Sequence, residues 1–132
     1  MNFIDTNVIV YFGGAEAGKF ARAASVVNLG GIISVQVLNE FANVTRNKNR
    51  RSWAEIEESV ALVRSLLDVR PLTVLTHEAA LRLAQRYNFH LYDALIVASA
   101  LEAGCDTLYS EDMHHGLLVE HRLTIVNPFL GA

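Results

Sequence analysis

Met1-Asn2-Phe3-Ile4-Asp5-Thr6-Asn7-Val8-Ile9-Val10-Tyr11 opens the chain with two apolar runs on either side of an acid. Phe3-Ile4 is too short for periodicity to separate strand from helix. Followed by Val8-Ile9-Val10-Tyr11, it predicts a short buried strand that runs through Asp5 into a first helical turn. Gly13, Gly14 and Gly18 then predict a loop. From Lys19 to Leu29 the apolar spacing at Phe20, Ala23, Ala24 and Val27 is helical, and Gly30-Gly31 supplies a helix stop. Ile32-Ile33-Ser34-Val35 follows as a second strand.

The same alternation continues. Val37, Leu38, Phe41, Ala42 and Val44-Thr45 predict a helix that dissolves into a loop from Arg46 to Arg51. Ser52-Trp53-Ala54-Glu55 has capping-box spacing, in which a Ser hydroxyl and a Glu carboxylate each satisfy an orphan amide, so a helix is expected to about Leu67. Pro71-Leu72-Thr73-Val74-Leu75 reads as a strand and Thr76 as the cap of a helix carrying Ala80, Leu83, Ala84 and Tyr87. Leu91 to Ala103 is apolar almost all round and stops at Gly104, and a helix with no polar face belongs in a core or an interface. Asp106-Thr107-Leu108-Tyr109 and Leu123-Thr124-Ile125-Val126 supply two last strands. Strands alternating with helices predict an α/β sandwich around a mostly parallel sheet.

With 132 residues, 52% apolar and 19% charged, the chain is expected to form one compact domain over 1–132 without staples. A lone cysteine, Cys105, excludes an intramolecular disulfide and suits a reducing cytoplasm. The first residues show no signal-peptide pattern, and no apolar stretch nears the roughly 20 residues that cross a bilayer; a soluble chain with no membrane partner is expected. The longest such stretch, Ala94 to Leu101, contains Ser99. A net charge of −3 provides no general attraction to nucleic acid, so any such binding must be local. Arg46-Asn47-Lys48-Asn49-Arg50-Arg51 offers four cations and no acid in six residues.

In open parallel sheets, ligands bind beyond the carboxyl ends of the strands. Asp5 closes the first predicted strand, Glu40 lies a turn into the helix after the second, Asp93 opens the all-apolar helix, and Asp112 follows the strand ending at Tyr109. Each has an ordinary structural explanation. Asp93 complements helix-start amides, Asp5 can form a turn with its own backbone, Glu40 can be a solvated helix residue and Asp112 a loop residue. Together they are harder to explain so. Glu40 and Asp93 are flanked by apolar residues, where an unpaired carboxylate is costly. Two carboxylates about 4 Å apart repel by roughly 4 kcal/mol at an effective dielectric of 20. Such a cluster must protonate in part, recruit Lys or Arg, or bind a cation, and the sequence places no Lys or Arg beside these four. All-oxygen ligation suits Mg²⁺ or Mn²⁺ rather than zinc.

Asp5-Thr6-Asn7-Val8, Glu40, Tyr92-Asp93-Ala94 and Ser110-Glu111-Asp112, in this order and placement, resemble the PIN-domain family, in particular the VapC-type toxins of bacterial toxin–antitoxin pairs. The resemblance spans essentially the whole chain. It implies a three-layer α/β/α sandwich, Mg²⁺- or Mn²⁺-dependent endoribonuclease activity on RNA, a homodimer, and a cognate antitoxin protein. It also implies that Asp5, Glu40, Asp93 and Asp112 are the metal-holding, catalytic acids, with Thr6, Asn7 and Ser110 as their polar supports. Glu111 is the alternative to Asp112. Arg46, Lys48, Arg50 and Arg51 are candidates for gripping RNA backbone, or a solvated basic loop. Other nucleases of this kind, directed at RNA processing or DNA, and a catalytically silent binding module of the same fold are the alternatives.

Several further signals lack a required part. Gly13 to Lys19 reproduces most of a phosphate-binding loop, but Phe20 stands where a Ser or Thr hydroxyl is needed and Glu16 would repel phosphate. His77, His90, His114, His115 and His121 show no zinc-protease spacing, although His114-His115 lies near Asp112. No glycine-bracketed Ser marks a serine hydrolase. Asp5-Thr6-Asn7 lacks the second Asp that aspartyl-phosphate chemistry needs.

Overall fold

The computed structural model describes residues 1–14 and 16–131; Ala15, inside the stretch read as a Gly/Ala loop, and Ala132 lie outside the described residues. The elements run β1 (Asn2–Ile4), α1 (Thr6–Phe12), α2 (Ala17–Asn28), β2 (Ile32–Ser34), α3 (Val35–Asn47), α4 (Trp53–Leu66), β3 (Asp68–Arg70), α5 (Val74–Tyr87), α6 (Leu91–Glu102), β4 (Thr107–Tyr109), β5 (Leu118–Val119) and β6 (Leu123–Val126). They form one sheet in the order β3-β2-β1-β4-β6-β5, parallel except for β5, which pairs antiparallel with β6. No helix among the described residues is long and apolar enough to cross a membrane.

The strand order positions everything that follows. From β1 the chain steps outward to β2 and β3, then returns to lay β4 on the other side of β1. Because parallel crossovers are right-handed, this reversal places α1 to α4 on one face of the sheet and α5 with α6 on the other, giving an α/β/α sandwich. The helix contacts agree: α1 packs on α2 and α3, α3 on α4, and α5 on α6. The gap between the carboxyl ends of β1 and β4 is therefore the topological switch point, where such sheets place their ligands. In the register Phe3 sits opposite Leu108 and Ile4 opposite Tyr109, and the Asp5 N–H donates to the Tyr109 carbonyl at 2.9 Å.

Phe3, Ile4, Ile33, Leu108 and Ile125 are wholly buried, as expected for strands covered on both faces. In α6, Ala94 and Ile96 to Ala100 are buried, so its apolar character belongs mainly to the core. Gly31 is required by close approach, since a Cβ there would lie 2.8 Å from the Asn2 carbonyl oxygen.

Three local expectations are corrected. The third strand is Asp68–Arg70, not Pro71 to Leu75, and Val74 and Leu75 already belong to α5. The cap of α5 is Thr73, whose hydroxyl accepts from the Thr76 N–H, while Thr76 returns a bond to the Thr73 N–H. Arg46 and Asn47 are the last turn of α3 rather than loop. The two-residue β5 is too short for a period-2 pattern to reveal it. At Ser52 the structure matches expectation: its hydroxyl accepts from the Glu55 N–H at 3.1 Å and its own N–H donates to the Glu55 carboxylate at 3.0 Å.

Candidate active site

Asp5 is the residue on which the strand ends and α1 begins. It caps α1, its Oδ1 accepting from the Thr6 N–H at 2.7 Å. Its Oδ2 accepts from the Ser110 hydroxyl at 2.8 Å and from the Asn7 side-chain amide at 3.3 Å. Only 6% of Asp5 is exposed. Burial pushes its carboxyl up to about 6 against the pull of the Ser110 and Thr6 bonds, and the negative charges of Asp93 and Glu40 push it further.

The neighbouring polar residues tie the remaining acids to this point. Thr6, one residue on, donates its hydroxyl to Glu40 Oε1 at 2.7 Å, linking the start of α1 to α3. Asn7 donates its side-chain amide to Asp112 Oδ2 at 3.1 Å and accepts the Glu111 N–H at 3.2 Å, linking α1 to the loop after β4. Asp93 sits in the first turn of α6, where the helix dipole favours a negative charge. Burial raises its carboxyl above the ordinary value; His90 works against this and Asp112 adds to it. Asp5, just after β1, thus feels the negative charges of Asp93 in α6 and Glu40 in α3, and Asp93 feels that of Asp112 in the loop after β4.

No ion pair to Asp5, Glu40, Asp93 or Asp112 occurs among the described residues. Among the described residues no three His, Cys, Asp or Glu side chains lie close enough together to hold a metal ion as they stand. Thr6, Asn7 and Ser110 hold the carboxylates instead, each by a hydrogen bond.

Glu111 points elsewhere. Tyr11 donates its hydroxyl to Glu111 at 2.6 Å, and Lys19 pairs with the same carboxylate while lying 4.8 Å from the centre of the Tyr11 ring. Burial alone would raise the Glu111 carboxyl, but Lys19 and Tyr11 outweigh it and hold it below the ordinary value. The Lys of the phosphate-loop-like stretch is thus engaged inside the fold. Of the basic segment, Arg46 stacks 4.7 Å from the centre of the Trp53 ring and donates to the Arg51 carbonyl, and Arg51 pairs with Glu55 at 3.2 Å. Lys48 and Arg50 lie exposed between them.

Two cavities flank the acids. One, of about 310 Å³, is lined by Asp93, Asp112, His90 and His114 with Tyr87 and Phe89. Of the two histidines, the sequence already sets His114 near Asp112, whereas His90, three positions before Asp93, carries no local signal. The other, of about 470 Å³, is bounded by Glu40 on α3 and Tyr92 on α6.

A family model described as the PIN domain matches residues 3–115, which takes in all four acids and their supports. The chain belongs to the PIN domain family. Three solved structures share this PIN fold. A toxin–antitoxin complex from Klebsiella pneumoniae is 17% identical with a TM-score of 0.74, and the match covers 98% of each chain. VapC20 of Mycobacterium tuberculosis, a sarcin–ricin loop cleaving toxin, is 18% identical with a TM-score of 0.68, over 82% of this chain and 87% of the other. VapBC2 of Rickettsia felis, bound to a DNA fragment from its promoter, is 18% identical with a TM-score of 0.58, over 84% and 87%. Among curated proteins, no sequence matches.

Proposed function

We propose that this PIN domain is a divalent-metal-dependent endoribonuclease and the toxin of a type II toxin–antitoxin pair. One observation carries the reading. A buried Asp5 at the switch point, its carboxyl pushed up to about 6, shares its surroundings with Asp93 and Glu40 and has no cationic side chain paired to it among the described residues. The uncompensated oxygens fit a hard divalent cation better than any other partner. Asp5, Glu40, Asp93 and Asp112 would hold Mg²⁺ or Mn²⁺, which supplies Lewis acidity toward water and the phosphoryl oxygens.

The chain's own groups do the rest. Ser110 and the Thr6 N–H fix the two oxygens of Asp5, Thr6 fixes Glu40, and Asn7 couples Asp5 to Asp112, so the acids keep their orientation as a substrate arrives. His90 and His114 line one cavity with Asp93 and Asp112 and would hold or release a proton at the leaving oxygen. No side-chain nucleophile is required.

Asp93→Asn is expected to lower cleavage of single-stranded RNA by at least about a hundredfold with the fold intact by circular dichroism, because it keeps a helix-start acceptor and loses the charge. EDTA should stop the wild-type reaction and Mg²⁺ or Mn²⁺ restore it. Full activity in Asp93→Asn, or activity surviving exhaustive chelation, would contradict the mechanism.

The fold shared with chains from toxin–antitoxin complexes supports an antitoxin as protein partner. A homodimer is supported by apolar side chains left outside on the two helices that flank edge strand β3 in sequence: Leu66 at the end of α4 is 40% exposed, and Val74 and Leu75 at the start of α5 are 75% and 72% exposed. Light scattering should read a dimer for the wild type and a monomer for Val74→Asp. A wild-type monomer at micromolar concentration would remove this part of the reading.

A further inference from the structure

The 470 Å³ cavity on the α3 side of the acids is unlike the acid cluster beside it. Its volume lies within the roughly 300–1,000 Å³ range of small-ligand pockets. Leu72 and Leu95 provide apolar walls, and Tyr92 is 65% exposed there, unusual for so large an apolar ring. The Gln36 side-chain amide donates to the Tyr92 carbonyl at 3.0 Å, which ties the aromatic residue to α3. Asn39 and Asn43, one helical turn apart on α3, form the opposite rim. Asn47 donates to Asn43 Oδ1 at 2.6 Å, which leaves the Asn43 amide hydrogens for a ligand. No Lys or Arg lines the cavity, so it is not built for phosphate. An exposed aromatic face with amides at its edge is how proteins hold an unstacked base.

Resting on the proposed nuclease activity, we propose that this cavity is a nucleobase subsite: it takes one unpaired base next to the scissile phosphate, stacked on Tyr92 and read at an acceptor-bearing edge by Asn43, with Asn39 beside it. Position argues for RNA over other occupants. Glu40 is at once a wall of the cavity and one of the four acids, so a base seated there lies one nucleotide from the proposed cleavage point. In the other direction, the stripe Asn39, Asn43, Asn47 climbs α3 toward exposed Lys48 and Arg50, which can receive the adjoining phosphates. Amides near the acids and cations further out form a track for a single strand. The subsite makes Tyr92 and Asn43 specificity-determining residues, while the acids perform the chemistry.

The test uses short single-stranded RNAs that differ at one position, bound by fluorescence anisotropy to full-length Asp93→Asn protein in Mg²⁺. Wild-type cleavage of the same RNAs is followed in parallel. Affinities should spread by roughly tenfold or more across the four bases at one position. Adding Tyr92→Ala should weaken all four, and adding Asn43→Ala should collapse the spread to less than about twofold. Asn43→Ala in the active protein should likewise flatten base preference at one position beside the cleavage site. Cleavage by the wild type with no base preference, or a preference unchanged in both variants, overturns the subsite and leaves the nuclease reading standing; no cleavage by the wild type defeats both. If the variants keep their base preference but lose a co-expressed antitoxin, the cavity belongs to a protein partner. If Tyr92→Ala only turns a dimer into a monomer, it is a contact between copies, and either result also overturns the proposal.

Discussion

Asp5 must serve two demands that oppose each other. As the cap of α1 it is best ionised, yet burial to 6% exposure lifts its carboxyl to about 6. The folded chain therefore holds this proton more tightly than the unfolded chain, whose carboxyl titrates near 3.8. Stability linked to Asp5 is complete below the unfolded value, fades as pH rises through about 6, and is lost at neutrality unless a cation replaces the proton. Asp5→Asn cannot ionise and keeps that stability throughout. In EDTA, the variant should therefore gain on the wild type between pH 4 and pH 7 by on the order of 2–3 kcal/mol in urea denaturation. Saturating Mg²⁺ should reverse the order at pH 7 by stabilising only the wild type. A difference that stays flat from pH 4 to pH 7 would remove the electrostatic account of this site. Glu111 and Asp112 show the same principle from the other side. They are neighbours in sequence, yet Glu111 has Lys19 as its counter-charge, whereas among the described residues Asp112 accepts from the Asn7 amide and is in no ion pair, so under the proposed function Asp112 is the one that would serve a cation.

At the scale of elements, the sequence was legible where one local signal decided the outcome. Ser52-x-x-Glu55 caps α4 as its spacing predicts, and Leu123 to Val126 is β6. It misled between Asp68 and Thr76 because two signals competed. Pro71-Leu72-Thr73-Val74-Leu75 has strand composition, but register with β2 selects Asp68-Val69-Arg70, two of whose residues are charged, and Thr73 starts a helix over the β-branched Val74. A parallel pairing partner thirty-odd residues away is invisible to a local pattern. The same limit applies to the site: strand ends point to the acids, whereas nothing local marks Tyr92, His90, Asn39 and Asn43 as cavity-lining, since a cavity is made by elements that only the fold brings together. The Thr73 cap is testable. Thr73→Ala removes one half of the reciprocal pair with Thr76 and should cost about 1 kcal/mol, with an unchanged slope in urea denaturation. No loss would mean that Thr76, which also donates to Glu102 at 2.8 Å, holds the start of α5 without it.

For the molecule as a whole, a net charge of −3 with four acids near the switch point weighs against the polyanionic substrate of the proposed function. Long-range attraction cannot draw RNA in, so under that proposal binding would depend on a cation held by the acids and on the few side chains free to meet phosphate. The basic segment looks richer in sequence than it is in the fold. Of its four cations, Arg46 is spent on Trp53 and the Arg51 carbonyl and Arg51 on Glu55, which leaves Lys48 and Arg50. Each cation that meets a phosphate of a single strand adds about 0.7 to the slope of log affinity against log salt. Lys48→Ala with Arg50→Ala should therefore weaken RNA binding uniformly across sequences and reduce that slope by about 1.4. Arg46→Ala should leave the slope nearly unchanged, because its loss is felt as packing against Trp53. A larger fall for Arg46→Ala than for the double variant would show that the RNA displaces the arginine from its ring, and that the path of the strand follows the end of α3 rather than the loop beyond it.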